Sequence, residues 1–76
     1  MYYYEIGIIN WDGFENVCLY KYSKELCMND CVIVNYSNKD RVGVIIRDYP
    51  KPNFKCKNIK EKILWLKVQM ILSHKT

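Results

Sequence analysis

The sequence predicts a mainly β fold, a small five-stranded OB-like or SH3-like barrel followed by one C-terminal helix. Three observations predict it. Five short runs rich in aromatic and β-branched residues are separated by turn signals. The 76 residues, 50% of them apolar, make one small domain whose single core every element must serve. A last run, from about Lys60 to His74, carries its apolar residues at helical spacing.

The first strand is expected over Tyr2 to Ile9, where Tyr2-Tyr3-Tyr4 must alternate between faces. Asn10-Trp11-Asp12-Gly13 is a turn signal. Phe14 to Tyr22 reads as the second strand, with Val17, Leu19 and Lys21 on one side. Ser23 to Asn29 connects it to a third strand, Cys31 to Tyr36, in which Val32, Val34 and Tyr36 alternate with Cys31, Ile33 and Asn35. Ser37-Asn38-Lys39-Asp40 supplies a hairpin turn. The fourth strand, Arg41 to Arg47, contains Gly43, which points to a bulge, a bend or a close backbone approach. Pro50 and Pro52 force Tyr49 to Asn53 into an extended loop. Phe54 to Ile59 is expected as the fifth strand, so the barrel takes residues 2–59 and the helix residues 60–76.

On that helix Ile59, Ile63, Leu66 and Met70 form one stripe, widened by Leu64, Trp65, Val68, Ile71 and Leu72. The apolar face is broader than a small barrel covers, and no capping residue or glycine stops the helix before Thr76. The expectation is an intermolecular contact, or a chain cut from a longer one.

Charge is unevenly placed. Residues 1–50 hold five basic side chains against seven acids, whereas residues 51–76 hold seven lysines and only Glu61. That asymmetry suits a negatively charged partner, with nucleic acid first, or else a solvated lysine-rich face. No apolar run reaches the ~18 residues of a membrane span, and the N-terminus lacks the pattern of a signal peptide. The four cysteines, Cys18, Cys27, Cys31 and Cys56, are expected as reduced thiols in a cytoplasmic protein, since Cys18, Cys31 and Cys56 lie in apolar-alternating stretches. Cys27-x-x-x-Cys31 has no second close pair to complete a metal site. Catalysis is poorly supported, because the acids are scattered over turns and strand edges and the one histidine is His74. Neither a cofactor nor a metal is expected.

Nucleic-acid binding has better support. Small barrels grip single strands with basic groups on phosphates and aromatics on bases. Tyr36, Asn38, Lys39 and Arg41 gather at one turn, and Phe54, Lys55 and Lys57 follow the prolines. If strand five returns beside strand one, the two clusters converge on one cleft. The alternative is an SH3-like protein-interaction module docking through its exposed apolar helix.

The order of elements resembles the N-terminal DNA-binding domain of the replication-restart helicases, the PriA or primosomal protein N-prime family. The resemblance covers residues 2 to about 60. It rests on the aromatic opening strand and on Leu19-Tyr20. Cys31-Val32-Ile33-Val34-Asn35-Tyr36 is like the family's G-x-x-V-x-V-P-[FY]-G, with Asn35 in place of the common proline. Arg41-Val42-Gly43-Val44-Ile45 is like x-x-G-[IV]-V, and the stretch from Lys51 to Ile59 is like the approach to L-K-x-[IV]. The resemblance implies an OB-like, non-catalytic module of an ATP-dependent helicase that holds the 3′ end of a nascent DNA strand at a stalled fork. It implies DNA, the rest of the helicase chain and other primosome proteins as partners. Carried over by position, the terminal nucleotide would meet Leu19 with its neighbour Cys18, Ser37 and Lys57. Lys57 matches the family lysine. Ser37 stands for a glycine, and Leu19 stands where an aspartate is common, offering apolar packing in place of a hydrogen-bond acceptor.

Overall fold

The structure, a computed structural model, describes residues 1–10 and 12–73. Strand β1 (Tyr2–Asn10) turns into β2 (Gly13–Tyr22), and a connection over residues 23–30 leads to β3 (Cys31–Tyr36). Then follow β4 (Lys39–Tyr49), the short β5 (Lys57–Asn58) and β6 (Glu61–Ile63), and helix α1 (Trp65–Ser73). The strands form one curled sheet in the order β5-β2-β1-β4-β3-β6. The mainly β class, the curled sheet and the single terminal helix agree with the sequence reading.

The first turn works as its residues dictate. Asp12 N–H donates to Asn10 Oδ1 at 2.9 Å, and Gly13 takes a φ of 114° that side chains disfavour. The second hairpin is tighter than expected. Its loop is Ser37-Asn38 alone, with φ of 54° and 65°, the paired left-handed geometry that matches strand twist. Lys39 and Asp40 therefore belong to β4, and that strand also runs on to Tyr49.

Residues 57–63 correct the reading most. Of the expected fifth strand only Lys57–Asn58 is strand. It lies parallel to β2 rather than beside β1, with Lys57 opposite Tyr20. The expected helix begins five residues late, because Glu61–Ile63 pairs antiparallel with β3. Successive N–H groups of an extended chain point to opposite sides. Ile59 N–H accordingly donates to the Lys21 carbonyl at 2.8 Å, and Lys60 N–H to the Ile33 carbonyl at 2.8 Å. One extended segment thus ties the two ends of the curled sheet together.

Curling gives the sheet two apolar faces. Tyr4, Ile6, Ile8, Tyr20, Val32, Val34, Ile45 and Ile59 fill the inside. Cys31, Val42 and Ile63 form a second cluster outside, which α1 covers with Val68. Val68, Ile71 and Leu72 stand at i, i+3 and i+4, one face of a helix. The expected stripe is therefore wrong in its members. Ile59 and Ile63 are strand-segment residues, while Leu66 and Met70 are 68% and 58% exposed. Leu64 opens the helix by accepting from Lys67 and Val68 N–H, and it brings no capping side chain. Nine residues are too few to hold a helix in water. Packing on the second cluster supplies what propensity does not.

Gly43 answers to one of the three expectations for it, a close approach. A Cβ there would stand 2.5 Å from Ile6 Cγ2. The bulge lies elsewhere on β4, where Ile46 is the unpaired residue between the Glu5–Arg47 and Ile6–Ile45 pairs.

Candidate nucleic-acid interface

Tyr20 organises the rim on which the expected binding residues lie. The alternation of β2 turns it inward opposite Tyr4, where it is 4% exposed. Its hydroxyl donates to the Asn35 carbonyl at 2.8 Å, clamping β2 to β3 near the hairpin. Burial pushes that hydroxyl above its ordinary pKa, and the neighbouring Cys18 and Tyr36 add to the shift. Lys57 sits opposite Tyr20 on the free edge of β2. Tyr20→Phe is expected to cost about 1 kcal/mol in urea unfolding with an unchanged m-value, the usual worth of one such hydrogen bond.

The hairpin adds a second layer. Tyr36 is half-buried, and its hydroxyl accepts from Asn16 Nδ2 at 2.9 Å. The Arg41 guanidinium stands 5.9 Å from the centroid of the Tyr36 ring and forms an ion pair with Glu15. With its side chain 17% exposed, Arg41 braces the hairpin against β2 more than it faces solvent. Ser37, Asn38 and Lys39 are exposed at the tip.

Cys18 and Leu19 are adjacent on one strand, so they point to opposite faces. Cys18 packs toward the inner core, and burial raises its thiol pKa. Leu19 lies on the outer face, in line with Val17 and Lys21 as the sequence reading has it. The structure therefore brings Cys18, Tyr36, Arg41 and the hairpin tip to one rim, with Lys57 across Tyr20. It leaves Leu19 on the other side of β2. Phe54 and Lys55 lie exposed in the loop before β5. Sequence reasoning missed Asn16 and Glu15, which look like ordinary strand polar residues until β2 and β3 are brought together.

The described lysines after Pro50 divide cleanly. Lys60 pairs with Asp40 at 2.8 Å, Lys62 with Asp30 at 3.6 Å and Lys67 with Glu61 at 3.9 Å. Lys51, Lys55 and Lys57 have no ion pair among the described residues and are all exposed. Among the described residues the uncompensated part of the basic last third is thus one stretch, residues 51–57, with Phe54 at its centre and 58% exposed.

The four cysteines are free thiols, with Cys31 buried and Cys27 exposed. Among the described residues no three His, Cys, Asp or Glu side chains come together to hold a metal ion, and His74 lies outside them. No described helix is long and apolar enough to cross a membrane. The chain matches no protein-family model, and neither a curated protein nor a solved structure matches it.

Proposed function

We propose that this domain is a nucleic-acid-binding module that holds the end of a DNA strand at the Tyr20 rim, without chemistry of its own. The observation that carries this is the partition of the lysines. Of the six described lysines after Pro50, the three that lack an ion pair, Lys51, Lys55 and Lys57, share one exposed segment with Phe54. Cations on both sides of an exposed aromatic ring in one segment suit the phosphates and bases of a single strand.

The finer reading is the 3′-end-binding domain of a replication-restart helicase. Two features support it. Two of the three positions carried over from that family flank Tyr20, with Lys57 paired to it and Ser37 two residues after its hydrogen-bond partner Asn35, while Leu19 lies on the opposite face of β2. Ser37 also holds a φ of 54°, the left-handed conformation that the family's glycine adopts freely. In this reading the rest of the helicase chain and other primosome proteins are partners, and the free thiols suit the cytoplasm.

Fluorescence anisotropy with a free 3′-hydroxyl strand, the same strand with a 3′-phosphate, and a blunt duplex tests both levels. The free 3′-hydroxyl strand is expected to bind tightest, with affinity falling as salt rises. Combining Lys51→Ala, Lys55→Ala and Lys57→Ala is expected to flatten the log–log salt slope by about 2, at ~0.7 per phosphate contact on a single strand. Equal, salt-sensitive binding to all three would leave a general DNA binder and remove the end-reading. An unchanged slope in the triple variant would overturn the proposal.

A second reading has its own observation. Leu64, Trp65, Leu66 and Met70 are 75%, 58%, 68% and 58% exposed around one helix. A protein-interaction module is the reading to adopt if no DNA binds.

A further inference from the structure

The end of β4 remote from the hairpin carries a different chemistry. Tyr2, Tyr4 and Tyr49 line a pocket of about 550 Å³ together with Glu25, Asp48 and Lys51. Tyr4 is its buried base, 3% exposed, and its hydroxyl accepts from Leu26 N–H at 2.7 Å. That bond folds residues 23–30 over the strand ends and brings Glu25 to the pocket. Asp48 arrives from the other side, opposite Tyr4 in the β1–β4 ladder. Tyr2 and Tyr49 are 44% and 36% exposed.

The carboxylates here are conspicuous by their partners. Glu5, Glu15, Asp30, Asp40 and Glu61 all have ion pairs. Among the described residues Asp12, Glu25 and Asp48 have none, and two of those three share this pocket. Both acids act on Tyr4, whose hydroxyl pKa is raised first by burial and then by the fields of Glu25 and Asp48, against a lowering by the Leu26 bond. Phenol faces and unpaired carboxylates attract the same kind of ligand. Lys51 lines the pocket too, yet among the described residues the close cation–ring contact is that of Arg41 on Tyr36.

We propose that this pocket binds an organic cation: an ammonium or methylated ammonium group, carried on a small molecule or on a partner's side chain. The rings offer their negative faces, Glu25 and Asp48 supply the countercharge, and Lys51 and the terminal ammonium of Met1 are the competing cations at the rim. The pocket lies at the end of β4 remote from the hairpin, nine residues of β4 separating Lys39 from Tyr49, and it adjoins the proposed DNA-binding residues at Tyr4, the partner of Tyr20, and at Lys51.

Amide NMR titration of the whole chain tests it, with tetramethylammonium chloride, a short peptide carrying one trimethylated lysine, and sodium chloride at equal ionic strength. Saturable shifts are expected at Tyr2, Glu25, Leu26, Asp48 and Tyr49 with the organic cations and not with sodium. Tighter binding of the peptide assigns the ligand to a partner side chain; equal binding assigns it to a small molecule. Tyr49→Ala is expected to weaken binding about 3–30-fold, the range of one cation–ring contact. Glu25→Gln with Asp48→Asn is expected to weaken it as well, and the same spectra report that each variant is folded. Lys51→Ala is expected to tighten the cation while weakening DNA, so failure of one proposal is distinguishable from failure of the other. Shifts that match sodium chloride, or that persist unchanged in the Glu25→Gln, Asp48→Asn variant, would overturn it.

Discussion

Gly43→Ala is expected to destabilise the domain by about 2–3 kcal/mol, at the upper end of what overpacking a core costs. The added Cβ would meet Ile6 Cγ2 at 2.5 Å. Ile6 is fully buried, and its branched methyl is fixed beside the backbone, so it has no free volume to enter. Val32 Cγ2, at 3.6 Å, closes the other side. In so small a domain, with a stability of about 5 kcal/mol, this is a large share of the whole. The expected fall in melting temperature is about 10–20 °C, read by circular dichroism. Gly7→Ala is the control. There a Cβ meets the Phe14 ring at 2.5 Å, but Phe14 is 64% exposed and is able to swing into solvent. A fall at Gly7 as large as at Gly43 would contradict this account of the two glycines.

Val68→Asp is expected to release α1 from the sheet. Val68 is fully buried among Cys31, Val42 and Ile63, with no cation in that cluster to meet a carboxylate. An unpaired charge there costs several kcal/mol, and the helix has no stability of its own to set against it. The inner core contains none of these residues, so the β signature should persist while helical ellipticity is lost. Cys31 gives a second readout. Burial raises its thiol pKa above the usual value, and the charge of Asp30 adds to that. Uncovered, it should react with a disulfide reagent together with the exposed Cys27. Loss of the whole β signature instead would mean that the two cores unfold as one unit.

Much of the fold is legible in the chain. The limits of β3 match the reading residue for residue, because its apolar run is bounded by Asp30 on one side and Ser37 on the other. β1 and β2 differ from it by a residue, since Asn10 to Gly13 carries an unmistakable turn signal. The register that places Val17, Leu19 and Lys21 together follows from strand alternation alone. The candidate site was legible as residue types. The basic block and its aromatic neighbour are local facts of sequence, as is a turn at Ser37-Asn38, whereas its two-residue left-handed geometry is seen only in the folded chain.

Other features depend on parts of the chain far apart in sequence. Ile59 and Ile63 are four residues apart, a spacing that suits a helix. Ile63 lies in β6 instead, and Ile59 in the link before it, because the open edges of β2 and β3 offer hydrogen-bond partners on both sides of one segment. Which lysines remain free is likewise decided by where Asp30, Asp40 and Glu61 come to rest. The pocket at Tyr4 exists because a phenol on β1 holds the backbone of Leu26, 22 residues away. Composition and periodicity by themselves determined a mainly β domain with a basic last third and a terminal apolar helix, since strands, turns and charge are properties of neighbouring residues. Tertiary structure alone decided that the sheet buries both faces, where the helix begins, and which charges are left without partners, because each of these is an exchange between groups that only the folded chain brings together.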